Sequence, residues 1–192
     1  MPVALILMLI LFASAGSAQP VAAGAVNSAS FARSDLPNGS LAQGSIFSVF
    51  GSRMGPAALA QSTSFPLPTE LAGTSVQVTV GRTSVDCIIL WTIASQLAVI
   101  LPSNTPVGDG TLTVSFNGQP SAPLAVTVVA HSFGIFALNQ AGSGPGVFTD
   151  LEFSPRTVLN SALPGDLLDV WDTGLGAVAG DEAGGPLPTP AG

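Results

Sequence analysis

The 192-residue sequence contains no lysine and no tyrosine, and it has only one cysteine, one histidine and four arginines. With a net charge of −7 and so few basic side chains, the chain offers no cationic surface that could neutralise phosphates. The composition therefore excludes nucleic acid as an expected partner, and it argues against binding to anionic membrane surfaces.

Cys87 is the single cysteine, so no disulfide bond can form within the chain and stability has to come from packing. It alternates with Val85 and Ile89, which predicts a buried and unreactive thiol. An intermolecular disulfide bond or a reactive thiol is the alternative for this residue.

His131 is the single histidine, and it lies directly after the last strand that we predict for the first module. The sequence has no Gly-x-Ser-x-Gly motif that would supply a nucleophile, so we predict that the protein is not an enzyme. One histidine and one cysteine are too few for a zinc site, and no cofactor is expected. A structural Ca²⁺ bound by the acidic C-terminal residues is the alternative, although no calcium-binding loop motif accompanies them.

Residues 1–18 have the features of a secretory signal peptide. An apolar run from Val3 to Phe12 precedes small residues that suit cleavage after Ala15 or Ala18. The run is shorter than the roughly 20 apolar residues that a membrane-spanning helix requires. We therefore expect a secreted or cell-surface protein with no membrane segment after cleavage, a short buried helix being the alternative.

One stretch of the sequence occurs twice. Without gaps, Gly44–Pro56 aligns with Gly165–Ala177, with identities at Gly44/Gly165, Val49/Val170 and Gly55/Gly176. Strand periodicity places Phe47 and Val49 on one face of the first copy. Their equivalents in the second copy are Leu168 and Val170. We predict that both pairs face an apolar core.

A glycine follows the predicted strand in each copy, Gly55 in the first and Gly176 in the second. Glycine at such a position is typical of a positive φ angle or of a close approach between backbones. The preceding residues, Met54 and Leu175, are expected to cap the core.

A second sequence match extends the repeat, because Phe65–Thr69 recurs as Gly185–Thr189. In the first copy this segment leads into further strands, whereas the sequence ends soon afterwards in the second. We therefore predict a complete module over residues 25–130 and a partial, truncated module over residues 131–192. The apolar face of the partial module should dock on the first module, recruit another chain by strand addition, or remain mobile.

Short alternating segments separated by turn residues predict a β-sandwich with an immunoglobulin-like arrangement. The Asn117-Gly118 pair is a strong signal for a two-residue hairpin. The predicted strands are Val26–Phe31, one within Gly44–Pro56, Ser75–Val80, Thr83–Trp91, Gln96–Leu101, Thr111–Phe116 and Leu124–Val129.

Several motifs in order resemble one family. They are Val26–Phe31, Gly44–Gly51, Phe65–Thr69, Gly73–Val76, Gln96–Pro102, Gly134–Phe136 and Thr173–Gly176. Together they resemble the Solibacter uncharacterised C-terminal domain family. The resemblance implies tandem immunoglobulin-like modules of the IPT/TIG kind in secreted bacterial proteins, with no activity of their own. The chain departs from the family pattern at Ile93–Gln96, and Ala98 and Ile100 replace polar residues, which predicts that an edge is covered here.

The resulting hypothesis is a non-catalytic, secreted structural, interaction or adhesion module whose partner is an unknown protein or polysaccharide. A carbohydrate-binding module is the alternative and a hydrolase a more distant one. An exposed aromatic pair beside Asp or Asn would favour the first alternative, and a cleft holding a histidine, a serine and an acid the second. Trp91, Trp171 and His131 are the candidate interaction residues.

Overall fold

A computed structural model of the protein describes residues 19–180 and 182–184. The predicted signal peptide and the repeated segment Gly185–Thr189 therefore lie outside the described residues. The described residues are all β, without a helix. The strands are β1 (Val21–Asn27), β2 (Leu41–Ala42), β3 (Ile46–Ser52), β4 (Ala60–Gln61), β5 (Glu70–Leu71), β6 (Thr74–Val80), β7 (Thr83–Asp86), β8 (Ile88–Ile93), β9 (Gln96–Ile100), β10 (Gly108–Phe116), β11 (Gln119–Pro120), β12 (Leu124–Val129), β13 (Gly134–Ile135), β14 (Phe148–Thr149), β15 (Asp169–Val170) and β16 (Asp172–Thr173).

Two large sheets share one apolar core. The first has the order β1-β3-β9-β8-β4, and the second has the order β2-β12-β10-β6-β5, with β11 added to β10 and β7 added to β6. Fully buried side chains from both sheets form a single cluster that includes Phe47, Val49, Val78, Leu97 and Leu112. The arrangement is that of a β-sandwich, as the sequence pattern predicts.

Strand β3 lies in the interior of the first sheet, with β1 on one edge and β9 on the other. Phe47 and Val49 are both 0% exposed, which confirms the predicted core face of the first copy. Met54 is also fully buried and closes the core after the strand, as predicted. Gly55 lies against another backbone segment, as predicted, because a Cβ there would overlap Thr92 Oγ1 and come within 3.1 Å of the Ile93 backbone oxygen.

The hairpin predicted at Asn117-Gly118 is present. Both residues have positive φ angles, 50° and 76°, which suit a two-residue turn between antiparallel strands. The turn joins β10 to the short strand β11 through the pairing of Phe116 with Gln119. After this pair the chain continues into β12, which returns along β10.

The first strand differs from its predicted range, since it spans Val21–Asn27 rather than Val26–Phe31. Asn27 ends the strand because its side-chain oxygen accepts hydrogen bonds from the backbone N–H groups of Ala29 and Ser30, at 2.8 and 3.1 Å. This side-chain turn replaces the ladder of a continuing strand. The alternation of apolar residues does not show that the Asn27 side chain competes with strand pairing for these N–H groups.

The predicted strand Thr83–Trp91 is wrong as a single element. Its first part, β7, pairs with β6 in the second sheet, whereas its second part, β8, pairs with β9 in the first sheet. The chain changes sheets at Cys87, whose N–H donates to Val76 O at 2.8 Å. Alternation in sequence continues across this crossing, so periodicity could not reveal the break.

The second copy forms much less sheet than the first. Its strands are two-residue elements, and they pair only as β14 with β15 and as β13 with β16 in the described residues. Leu168 is 37% exposed and Val170 is 44% exposed, so the predicted core face is wrong for this copy. Leu175, the expected cap, is 65% exposed. No opposing sheet covers these side chains within the described part of the chain.

Candidate functional site

A concave surface lies on the outer face of the first sheet. A stretch of the C-terminal part of the chain crosses that face and leaves a cavity of about 880 Å³. We call it the sheet-face groove, lined by Ser28, Ala29, Phe31, Ile46, Ser48, Phe50, Leu90, Trp91, Gln96, Ala98, Phe136, Ala137, Leu138, Gln140 and Val147. None of these side chains is charged.

Strand alternation and one bulge place the floor of the groove. Because Phe47 and Val49 face the core, Ser48 and Phe50 face outwards. The pairing of β8 with β9 is irregular between Ile89 and Trp91, and Trp91 is opposite Ala98 on the outer face. Ser48 therefore belongs to this groove.

The groove combines aromatic rings with uncharged polar groups. Phe31 and Phe50 form an edge-to-face pair with ring centroids 6.1 Å apart. On the floor, the hydroxyl groups of Ser28 and Ser48 lie 2.8 Å apart and share a hydrogen bond. Such a surface suits an uncharged ligand that has both apolar and hydroxyl or amide groups.

Ala98 is almost fully buried although it points away from the core, and it lines the groove. The apolar replacement at this position was predicted to indicate a covered edge. In the structure it lies on a covered sheet face instead, since β9 is an interior strand with β3 and β8 on its two edges.

His131 lies at a contact between the sandwich and the returning C-terminal segment. Its Nδ1 atom is 2.6 Å from Leu175 O, so the ring donates a hydrogen bond to that carbonyl. The adjacent backbone is close, since a Cβ on Gly176 would come within 2.6 Å of the same nitrogen. The ring therefore bonds to the backbone rather than to a serine or carboxylate side chain. His131 thus connects the end of the sandwich to the second copy.

Trp171 lies on a different surface, in the small unit formed by the second copy. It is 46% exposed and forms an edge-to-face pair with Phe153, which is 66% exposed, at a centroid distance of 6.1 Å. The indole Nε1–H donates to Thr149 Oγ1 at 3.2 Å. Close by along the chain, Asp150 forms an ion pair with Arg156 at 3.1 Å.

The three predicted interaction residues are thus not brought together. Trp91 lines the sheet-face groove, Trp171 lies in the second copy, and His131 holds the returning segment. Sequence analysis missed Phe31 and Phe50 as site residues. Phe50 is one step out of phase with Phe47 and Val49, and that offset is the signal that could have placed it on the outer face.

The acidic residues of the second copy that the structure describes lie apart from one another or have protein partners. Within residues 19–180 and 182–184, no group of three acidic, histidine or cysteine side chains could hold a metal ion. Several carboxylates have other partners, such as Glu182, whose Oε1 accepts from Ser103 N at 2.7 Å. Partial burial raises the pKa of the Asp172 carboxyl above its ordinary value.

Cys87 is fully buried, as predicted. Loss of hydration raises the pKa of its thiol far above the ordinary value, and the negative charge of Asp86 adds to the shift. The protonated thiol is a poor nucleophile, so this position gives no reactive centre.

No helix in the described ranges is long and apolar enough to cross a membrane. In comparisons with known proteins, no family model matches the chain and no curated protein matches it significantly.

Proposed function

We propose that this chain is a non-catalytic, secreted module of the immunoglobulin-like, IPT/TIG kind that serves in interaction or adhesion, with a structural role included. The order of the strands supports the fold. In the first sheet β1, β3, β9 and β8 follow the order A, B, E, D, and in the second β12, β10 and β6 follow the order G, F, C of immunoglobulin domains. The resemblance to the Solibacter C-terminal domain family and the signal-like residues 1–18 support a secreted bacterial origin.

The observation that carries the interaction role is a concentration of exposed apolar side chains in the second copy. They are Leu151, Phe153, Val158, Leu159, Leu163, Leu167, Leu168, Val170, Trp171, Leu175 and Val178. Each leaves apolar area in water at a cost of about 25 cal/mol per Å². The concentration of such side chains in one short part of the chain favours a role in binding another molecule.

A displayed library of random peptides, panned against the immobilised protein, tests this role. We expect enrichment of peptides with alternating apolar residues, and we expect Leu163→Asp together with Leu167→Asp to reduce it, because both side chains are exposed. The protein should release no product from chromogenic esters or glycosides. If product is released, and His131→Ala abolishes the release while the fold persists, the non-catalytic assignment is wrong.

Carbohydrate binding is a second candidate, and the exposed Phe153–Trp171 pair favours it. Phe153 N–H donates to the Asp150 carbonyl and the Trp171 indole donates to Thr149 Oγ1, so polar groups adjoin the two rings, as sugar recognition requires. Retention on columns of insoluble neutral polysaccharides would test it. Trp171→Ala should abolish retention, whereas Trp91→Ala should not. Retention that is unaffected by Trp171→Ala would remove this candidate.

A further inference from the structure

We propose that the free edge of β15 and the apolar side chains beside it bind an extended strand of another polypeptide. The added strand has apolar residues at alternate positions and basic residues at its ends. We call the site the second-copy face; it comprises the backbone of residues 167–170 and the side chains of Phe148, Leu168 and Val170. This inference rests on the proposed interaction role and specifies its partner.

The internal repeat identifies one neighbour of β15. In the ungapped alignment Asn27 corresponds to Phe148, and Phe47 corresponds to Leu168. Asn27 pairs with Phe47 in the first copy, and Phe148 pairs with Val170 in the second. The β14–β15 pair therefore reproduces the β1–β3 pair, with a register shift of two residues.

In the described residues, the second edge of β15 has no neighbour that corresponds to β9. In the first copy, β9 occupies the second edge of β3, pairing along its length from Ile46 with Ile100 to Phe50 with Gln96. Within residues 19–180 and 182–184, β15 pairs with β14 alone. An open edge with unpaired N–H and C=O groups is a template for strand addition.

The side chains next to this edge are those that a partner strand would cover. In the first copy Phe47 and Val49 are buried in one cluster with Leu97 and Val99 from β9. Their equivalents, Leu168 and Val170, are 37% and 44% exposed. A cavity of about 440 Å³ adjoins Phe148 and Leu168 and leaves space for side chains of the incoming strand.

Charge distinguishes the partner from a second copy of this chain. Asp166, Asp169 and Asp172 recur at every third position through the site. The chain has no lysine, and the nearby Arg156 is already paired with Asp150. Two copies would bring like charges together, whereas a strand with basic ends would be complementary.

A synthetic peptide provides the probe, because the repeat shows which strand chemistry fits this edge. The peptide carries residues 94–103 of this chain, Ala-Ser-Gln-Leu-Ala-Val-Ile-Leu-Pro-Ser. A lysine is added at each end, together with a fluorescent label. One control peptide carries Val99→Pro, which removes a backbone donor from the strand. Another has glutamate in place of the added lysines. Fluorescence anisotropy with the purified protein measures each Kd.

We expect saturable binding of the lysine peptide, with affinity at least about 10-fold weaker for the proline peptide, a loss of roughly 1.4 kcal/mol. The protein variant Leu168→Asp with Val170→Asp should lose binding to a similar extent. Leu159→Asp is the matched control, because Leu159 is 96% exposed and lies outside the site; it should bind as the unaltered protein does. The glutamate peptide should bind more weakly than the lysine peptide. Added salt should bring the Kd values of these two peptides closer together, because it screens the charges.

Equal binding of the proline peptide, or no effect of the double aspartate variant, would overturn the proposal, as would failure of the lysine peptide to bind. A dimer in sedimentation equilibrium that Val170→Asp dissociates would also overturn it, because the occupant would then be a second copy. Thermal unfolding of each variant verifies that the fold persists. If displayed peptides bind elsewhere while this probe does not, the interaction role stands and only the strand-addition site is wrong.

Discussion

Thr173 Oγ1 accepts a hydrogen bond of 2.7 Å from the backbone N–H of Ile46, a residue 127 positions earlier in the sequence. Thr173 belongs to the second copy of the repeat and Ile46 to the first, so this bond joins the two copies directly. Ser132 N–H also donates to Gly174 O, at 2.9 Å, beside this contact. The second copy therefore contacts the first through a polar bond, whereas the apolar face that was expected to dock is partly exposed at Leu168 and Val170.

Replacing Thr173 with valine should destabilise the fold. The two side chains have nearly the same shape, but valine leaves the partly buried Ile46 N–H without its acceptor, at a cost of about 1–3 kcal/mol. Urea unfolding measures the change. Thr63→Val is the control, since Thr63 is exposed and should change the free energy of unfolding by no more than about 0.5 kcal/mol. Equal effects of the two substitutions would show that the contact does not contribute.

Alanine substitutions at the equivalent positions Met54 and Leu175 should change the free energy of unfolding by different amounts. Met54→Ala removes a fully buried side chain and should cost about 2–5 kcal/mol of the free energy of unfolding. Leu175→Ala changes an exposed side chain and should cost no more than about 0.5 kcal/mol. Denaturant titration of both variants tests this directly. A cost at Leu175 comparable to that at Met54 would mean that Leu175 is covered in solution.

Cys87 should make stability fall in alkaline solution. Burial raises the pKa of its thiol in the folded state, so the unfolded chain loses the proton first, near the ordinary thiol pKa of roughly 8.5. Above that pH the unfolded state binds fewer protons than the folded state, and the free energy of unfolding decreases as pH rises. The sequence contains no lysine or tyrosine to obscure this range.

Urea unfolding between pH 7 and pH 10.5 measures that decrease. Cys87→Ala should abolish most of it, although the variant should be less stable at every pH because a cavity remains. A thiol reagent should modify the folded protein slowly and the unfolded protein rapidly. Rapid modification of the folded protein would contradict the buried position.

Amide hydrogens of residues 132–180 should exchange faster than those of the strands between residues 21 and 129. The C-terminal unit has only two-residue strands, whereas the interior strands of the sandwich are paired on both edges around a common core. Hydrogen–deuterium exchange with mass spectrometry gives the comparison by segment. Protection of the C-terminal unit equal to that of β3 and β10 in a monomer would contradict the prediction.

A chain that ends near Ala130 should remain folded. Truncation there removes a few hydrogen bonds, including that from Asn27 Nδ2 to Ser132 O at 2.7 Å, each contributing about 1 kcal/mol. It leaves the core cluster intact, because none of the residues in that cluster lies beyond Val128. Circular dichroism and cooperative thermal unfolding test this. Loss of cooperative unfolding would mean that the C-terminal segment is an integral part of the sandwich.

The sequence by itself determined the β class, the core face of the first copy and the hairpin at Asn117-Gly118. These depend on neighbours within a few residues, through alternation of side chains across a strand and through the φ angles that a tight turn needs. Burial of the single cysteine followed from the same alternation. The family resemblance and the immunoglobulin-like arrangement that it implies stay a proposal.

Only the tertiary structure decided which elements pair over long distances. The change of sheet at Cys87 and the end of the first strand at Asn27 depend on backbone and side-chain hydrogen bonds that periodicity does not record. Leu168 and Val170 repeat the pattern of Phe47 and Val49, yet they are partly exposed whereas Phe47 and Val49 are buried. The pattern indicates which face of a strand is apolar. Burial of that face requires another element to cover it. For the second copy, that element is absent among the described residues.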